Sequence, residues 1–417
     1  MKKLLSLALV VVMVLSFAAC TSAPSSQAPA NSTANSATPA VPSTSSAPAA
    51  PKEIVIGGIQ DLTGAAAASC VAMNRGAQIA IDEINAAGGI NGAMLKYICY
   101  DVKGDPQEAI NAYNRLVDQD KASVVIGPPI SNVGLALVSL TAEKKVPVLG
   151  AFIDSRVTKK EDGTPQEYMF LDQPTNAQTG EVQASYLIDA LGIKKIGLFY
   201  DQGNAFGVSQ VQAFKDYILK QGGEIVSEQT FKSGDKDFKT QLTKIKESGA
   251  EGIFAPNYAQ DNTLYVNQLK QLGMSNLRTM GGLEFAPPFL TTLPDPTIVD
   301  NVLFAVNIAF DDPKVAELNK TAMAKYSDIK TIEDISVKLY LGYDAAYMIK
   351  SALVYANGNF SGENIKNALE EMGKVEVKTG TFGFSKESHQ PIGLGMVMYK
   401  IAQGKNEKIG AYVAGQK

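Results

Sequence analysis

Apolar residues recur along this chain in two alternating rhythms. Ile54, Val55, Ile56 and Ile59 form a short β-branched run, as carried by a strand buried on both faces. A loop of small and polar residues follows, from Gln60 to Ser69. The spacing then changes to three and four: Met73, Ala77, Ala80, Ile81 and Ile84 share one helical face. Gly88-Gly89 ends that helix, because Gly takes the left-handed backbone of a helix terminus. Leu95 to Tyr100 predicts a second strand. Asp105-Pro106-Gln107-Glu108 then opens a helix, with Asp as N-cap and Pro in the first turn. Ser123 to Ile126 and Val146 to Leu149 predict two more strands, with a helix to about Lys144 between them.

Around Tyr168 to Pro174 the chain is expected to cross into a second lobe, where the alternation restarts. Val182, Tyr186, Leu187 and Leu191 mark a helix. Strands are predicted at Lys195 to Tyr200, Glu224 to Gln229, Gly252 to Ala255 and Leu277 to Gly281, with helices between them. Ile298 to Val306 reads as extended chain that carries the backbone back. Val337 to Tyr355 is a long apolar helix, whose Tyr340 and Tyr343 read as core, with an approach to a binding cleft as the alternative. Ser361 to Met372 is a shorter helix, and Met396 to Ile401 and Ile409 to Val413 are terminal strands. Two such series imply an α/β fold with two open parallel sheets flanked by helices.

Composition adds limits. With 417 residues and 45% hydrophobic content, the chain suits two domains. A net charge of −4, with no block of like charges in the folded part, points away from nucleic acid. Lys2 and Lys3, the apolar run Leu4 to Phe17, and Ala18-Ala19-Cys20 read as a secretory signal with a lipobox-like end. The apolar run is short for a spanning helix of about 20 residues. We therefore expect a signal peptide over 1–19, cleavage before Cys20 and lipid on its sulfur. Residues 20–52, nearly all Ser, Ala, Pro, Thr, Asn and Gln after the cysteine, read as a disordered tether to the membrane. The remaining chain is expected outside the cytoplasm.

Catalytic chemistry finds little support. The single histidine, His389, lies in the polar run Ser385 to Gln390, which reads as a surface turn. Spacings for His or Cys metal ligands and a phosphate-binding Gly-rich loop are missing from the sequence. No enzyme activity, metal or cofactor is expected. Binding suits the loops at strand ends better, because parallel α/β sheets place ligands there. Gly127 to Asn132 lies between a buried strand and a helix N-terminus, which favours a carboxylate. Ser131 adds a hydroxyl donor. Asn132 does the same or caps the helix, and on the residues alone capping is the ordinary reading of either.

The opening strand, Asp61-Leu62-Thr63-Gly64 and the block Arg75 to Gly92 (RGAQIAIDEINAAGGING) resemble the start of type 1 periplasmic binding proteins. The resemblance is to the branched-chain amino acid group that serves ABC transporters, and it extends over nearly all of 53–417. It implies two Rossmann-like lobes joined by a hinge that the chain crosses three times. Lobe 1 would comprise 53–173 plus 306–383, and lobe 2 174–305 plus 384–417. It also implies capture of a small solute between the lobes and its delivery to an ABC permease.

By the same resemblance, Ser131 binds the ligand α-carboxylate, and backbone near Phe152 with the side chain at Asp154 holds the head group. The family has a hydroxyl residue where Asp154 stands. Its acid for the α-ammonium falls at Leu283, with Glu284 one place later. Three readings stay open: Glu284 serves, Asp154 serves, or the ligand has no ammonium. Asp154 equally reads as a partner of Arg156 or a nearby lysine. Phe206 and Tyr258 match aromatics that cover the ligand, against lobe packing as the alternative. Ser69 stands where the family often has Tyr. With the small run Ala65 to Ala68, it leaves room for a larger side chain. Cys70 and Cys99 lie away from the family's disulfide, so free thiols and a pair both remain open. The expected ligand is an uncharged amino acid. The alternatives are an aromatic or other carboxylic acid without an amino group, or a role as a ligand-sensing receptor module.

Overall fold

A computed structural model describes residues 53–391 and 396–415. The expected signal peptide, Cys20 and the tether lie outside the described residues. The chain begins with β1 (Glu53–Gln60), α1 (Ala67–Ala86), β2 (Met94–Asp101), α2 (Pro106–Asp118), β3 (Val124–Gly127), α3 (Ser131–Lys144), β4 (Val148–Gly150) and β5 (Met169–Leu171). These strands form one parallel sheet in the order β2-β1-β3-β4-β5. Asp105 caps α2 as its sequence predicts, accepting the amides of Gln107 and Glu108. Strand β5 lies where a crossing was expected. Its three buried residues pair with β4 before the chain leaves the sheet.

The chain continues through α4 (Asn176–Ser185), β6 (Lys195–Asp201), α5 (Ala205–Lys220), β7 (Glu224–Phe231), α6 (Lys239–Glu247), β8 (Gly252–Ala255), α7 (Ala259–Gln271), β9 (Arg278–Gly281) and β10 (Val302–Val306). It then forms α8 (Ala316–Lys325), α9 (Val337–Ala356), α10 (Gly362–Glu371), the small hairpin β11 (Val375–Val377) and β12 (Gly380–Phe382), and finally β13 (Met396–Ala402) and β14 (Lys405–Tyr412). The second sheet has seven strands in the order β14-β13-β10-β9-β8-β6-β7. Its β10 is parallel to β9 and antiparallel to β13, so the mostly parallel sheet ends in an antiparallel hairpin. The end of the stretch read as returning chain, Val302–Val306, is therefore an inner strand, buried along all of its residues.

Helix α9 returns to the first sheet and packs on α1. Two glycines set the approach. A Cβ at Gly76 would meet the Leu339 carbonyl oxygen at 1.9 Å, and one at Gly342 would meet that of Met73 at 1.9 Å. Only Gly lets two helix backbones come this close. Tyr340 and Tyr343 are buried core residues whose hydroxyls bond Asn319 and Glu83.

His389 corrects the surface-turn reading. Its ring is buried and stacks on Phe170 with centroids 3.9 Å apart. Nε2 meets Glu370 Oε1 at 2.9 Å, and Nδ1 faces the carbonyls of Gln166 and Met169. A polar run hid one ring that the fold turns inward and satisfies. Among the described residues, no helix is long and apolar enough to cross a membrane.

Candidate functional site

The loops after β3 and β4 meet those after β6 and β9 across the two lobes. Ser131 is the first residue of α3, and no side chain caps that helix. Its Oγ accepts the amides of Ile153 at 3.4 Å and Asp154 at 3.3 Å. Two acceptor sites are thus taken, and the hydroxyl proton remains to be donated. Next to it stand the first-turn amides of α3, which carry the positive end of the helix dipole. This corner suits a carboxylate. Asn132 does not cap α3 either. Its amide bridges the lobes, donating to Gly203 O at 3.2 Å and accepting from Ala205 N at 3.2 Å.

Phe152 is fully buried, and its ring fills space left by Gly127, Gly134 and Gly150. Only its backbone is free to face a ligand. Asp154 is also buried, but its carboxylate is engaged. It accepts Arg156 Nε at 3.0 and 3.1 Å and the Arg156 backbone amide at 2.9 Å. Asp154 lines a surface cavity beside α4 and α5, with Arg156 and Asn176 among its other walls.

From the second lobe, Phe206 stacks on Tyr258 with centroids 5.9 Å apart and planes 16° from parallel. Phe206 also packs with Ile153 and Leu283 around a cavity of about 20 Å³. Tyr258 lines a larger cavity of about 680 Å³ with Ala65, Ala66, Ile130 and Asn132. Burial pushes its hydroxyl well above the usual tyrosine range, and Glu284 adds to this. The small residues Ala65 and Ala66, just ahead of α1, thus open toward a roomy space. Asp61 folds that loop back by accepting the amides of Gly64 and Ala66.

Glu284 sits in the short 3-10 turn Leu283–Phe285 after β9. A buried amide chain braces that turn: Gln210 donates to Gln183, and Gln183 donates to Gly281 O at 2.9 Å. Glu284 reaches the first lobe, where its Oε2 accepts the Ser69 hydroxyl at 2.7 Å. Its Oε1 lies 4.0 Å from Lys338 Nζ in the first turn of α9. Ser69, Glu284 and Lys338 line a cavity of about 30 Å³.

Lys338 belongs to a helix that the sequence marks only as apolar, and Asp172 to the stretch where the sequence predicts a crossing. Burial lowers the Lys338 ammonium pKa, while Glu284, Asp172 and Cys70 act to raise it. Asp172 follows β5 and is fully buried, and neither of its carboxyl oxygens has a hydrogen-bond partner among the described residues. Burial raises its pKa to about 8, with Asp344 adding to the shift and Lys338 opposing it. The isolated signal for both was a charge set among apolar neighbours. Cys70 and Cys99 are free thiols.

The sign of the Asp172 shift gives a prediction. Its folded pKa of about 8 lies above the unfolded value of about 3.9. Between these values the folded chain holds a proton that the unfolded chain has lost. Stability from this group is therefore complete below about pH 4 and is lost as pH rises to about 8, by about 1.4 kcal/mol per pH unit. Asp172→Asn is expected to remove this slope. Urea melts of both proteins across pH 5 to 8 check it, and parallel slopes would contradict it.

The periplasmic binding protein family model matches residues 53–406. The chain belongs to that family. This periplasmic binding protein is 28% identical to "Leu/Ile/Val-binding protein homolog 3" of Brucella melitensis, over 82% of this chain and 89% of the relative. The isoleucine complex of the branched-chain amino acid transporter substrate binding protein LivJ from Streptococcus pneumoniae is also similar. It has a TM-score of 0.76 and 28% identity, and the match covers 87% of this chain and 99% of that one. A solute binding protein of an ABC transporter from Rhodopseudomonas palustris BisB5, in complex with 3,4-dihydroxy benzoic acid, shares the fold. Its TM-score is 0.76 at 19% identity, over 88% and 99% of the two chains. Family and fold are those of extracytoplasmic solute-binding proteins rather than of enzymes.

Proposed function

We propose that this protein captures an uncharged amino acid, branched-chain or similar, between its lobes and delivers it to an ABC permease. A lipid on Cys20 and the tether over 20–52 hold it at the outer face of the cell membrane. In this reading, residues 53–173 and 306–383 form the lobe that holds the head group. Residues 174–305 and 384–417 form the lobe that closes over it by hinge motion.

The observation that carries this reading is the Ser131 corner. Its hydroxyl is oriented by two backbone amides, at a helix start without a side-chain cap. A carboxylate there takes one hydroxyl, the first-turn amides of α3 and backbone near Phe152, while the Ile153 and Asp154 amides stay on Ser131. Across the cleft, Glu284 supplies the acid for the α-ammonium, because Asp154 already serves Arg156. A buried ammonium requires such a partner. Phe206, Tyr258 and Glu284 come from the closing lobe, and closure is driven by contacts that only the closed form makes.

The test is a thermal-shift screen of the purified protein against amino acids and simple carboxylic acids. A ligand of the folded state raises the melting temperature by mass action. Ser131→Ala is expected to weaken the best hit about tenfold, whatever its side chain, from the loss of one hydrogen bond to a charged group. Unchanged affinity would remove the head-group assignment. A second reading, a carboxylic acid without an amino group, is favoured by one observation. Lys338 already faces Glu284 at 4.0 Å.

A further inference from the structure

Lys338 stands where it competes with any ligand ammonium. Its side chain is 3% exposed, and its Nζ lies 4.0 Å from Glu284 Oε1. The other Glu284 oxygen accepts the Ser69 hydroxyl. The space beside them measures about 30 Å³, room for a water molecule or two at about 10–15 Å³ each. That space takes a group the size of a water or an ammonium but not the rest of an amino acid while Lys338 stays in place. Two ammonium groups on one carboxylate also repel, and more strongly where water is excluded.

Asp172 offers Lys338 another partner. It is fully buried at the end of β5, its amide donates to Gly150 O, and both carboxyl oxygens lack hydrogen-bond partners among the described residues. The Lys338 ammonium is near enough to act on its charge, and so is the carboxylate of Asp344 from the same helix α9. Asp344 is itself held by the backbone amides of Lys378 and Thr379, with the Lys378 ammonium nearby. Lys338 lies 4.0 Å from Glu284 of the second lobe, and Asp172 and the Cys70 thiol of the first act on its charge.

We infer that Lys338 is a specificity-determining residue that changes partner: the ligand ammonium takes Glu284, Lys338 turns to Asp172, and Asp172 gives up its carboxyl proton to receive it. This rests on the ammonium reading of the site. The only covalent bond broken is the Asp172 O–H. Its proton goes to the buffer, and Lys338 keeps its own three. Burial keeps Asp172 protonated near neutral pH, so the proton is there to be released. A carboxylic acid without an amino group leaves Lys338 on Glu284 and releases no proton. The exchange thereby makes an amino group on the ligand the trigger.

The experiment is calorimetric titration of the purified protein with leucine, isoleucine and valine at pH 7, in buffers of different ionisation enthalpy. The wild type is expected to release close to one proton per ligand, with affinity rising about tenfold from pH 6 to pH 7. Asp172→Asn and Lys338→Gln are expected to bind without that release. Binding by the wild type with the same enthalpy in every buffer would overturn the exchange and leave the ammonium reading standing. Undiminished proton release by Asp172→Asn would also overturn it. If none of the three amino acids binds, the ammonium reading itself fails and the exchange with it.

Discussion

Glu284→Gln is expected to lower affinity for the best amino acid ligand on the order of a hundredfold. Removing one charge of a buried, hydrogen-bonded pair costs about 2–5 kcal/mol, and about 1.4 kcal/mol is a factor of ten. Gln keeps the shape and still accepts the Ser69 hydroxyl, so the loss reports charge rather than packing. Lys338 is left facing an amide, and its ammonium becomes harder to keep ionised. Asp154→Asn is the control. Its carboxylate is spent on Arg156, so affinity should change no more than a few-fold. Calorimetric titration checks both. A large loss in Asp154→Asn with none in Glu284→Gln would move the ammonium to the other acid.

Gly342→Ala is expected to destabilise the fold by about 3 kcal/mol or more, the upper end of the cost of overpacking. Helix propensity argues the other way, because Ala gains about 1 kcal/mol over Gly in a helix interior. The clash decides the sign. The new Cβ would stand 1.9 Å from the Met73 carbonyl oxygen, which belongs to the backbone and cannot rotate away. Relief requires α1 and α9 to separate. That also parts Ser69 on α1 from Lys338 on α9, so ligand affinity falls with stability. Urea melts are expected to show a lower midpoint with an unchanged slope. An unchanged midpoint would mean that the helix contact is soft.

Much of this arrangement was legible before any coordinates. Residues 54–92 announce strand, loop, helix and stop, because a continuous β-branched run gives way to a period near 3.6 and Gly-Gly ends the helix. The capping residue of α2 could be read off directly as Asp105 before Pro106. Other features could not, and the reasons are physical. Strand β5 is three residues long, too short for a period to appear. The partners of His389 include Gln166 and Met169, more than 200 positions away, so its polar neighbours in sequence misled. The i,i+2 pairing of Asp154 with Arg156 was open to sequence, and it left two readings that side-chain geometry separates. Lys338 and Asp172 acquire meaning only when β5, α9 and the turn after β9 come together.

The most direct measurement compares leucine with the carboxylic acid of the same carbon skeleton that lacks the amino group, each titrated calorimetrically into the purified protein. The account predicts one leucine bound per chain, and affinity for the deamino acid at least about a hundredfold lower, because that acid brings no ammonium to Glu284, which then keeps Lys338. Equal affinity for the two, or a preference for the acid without the amino group, would contradict it.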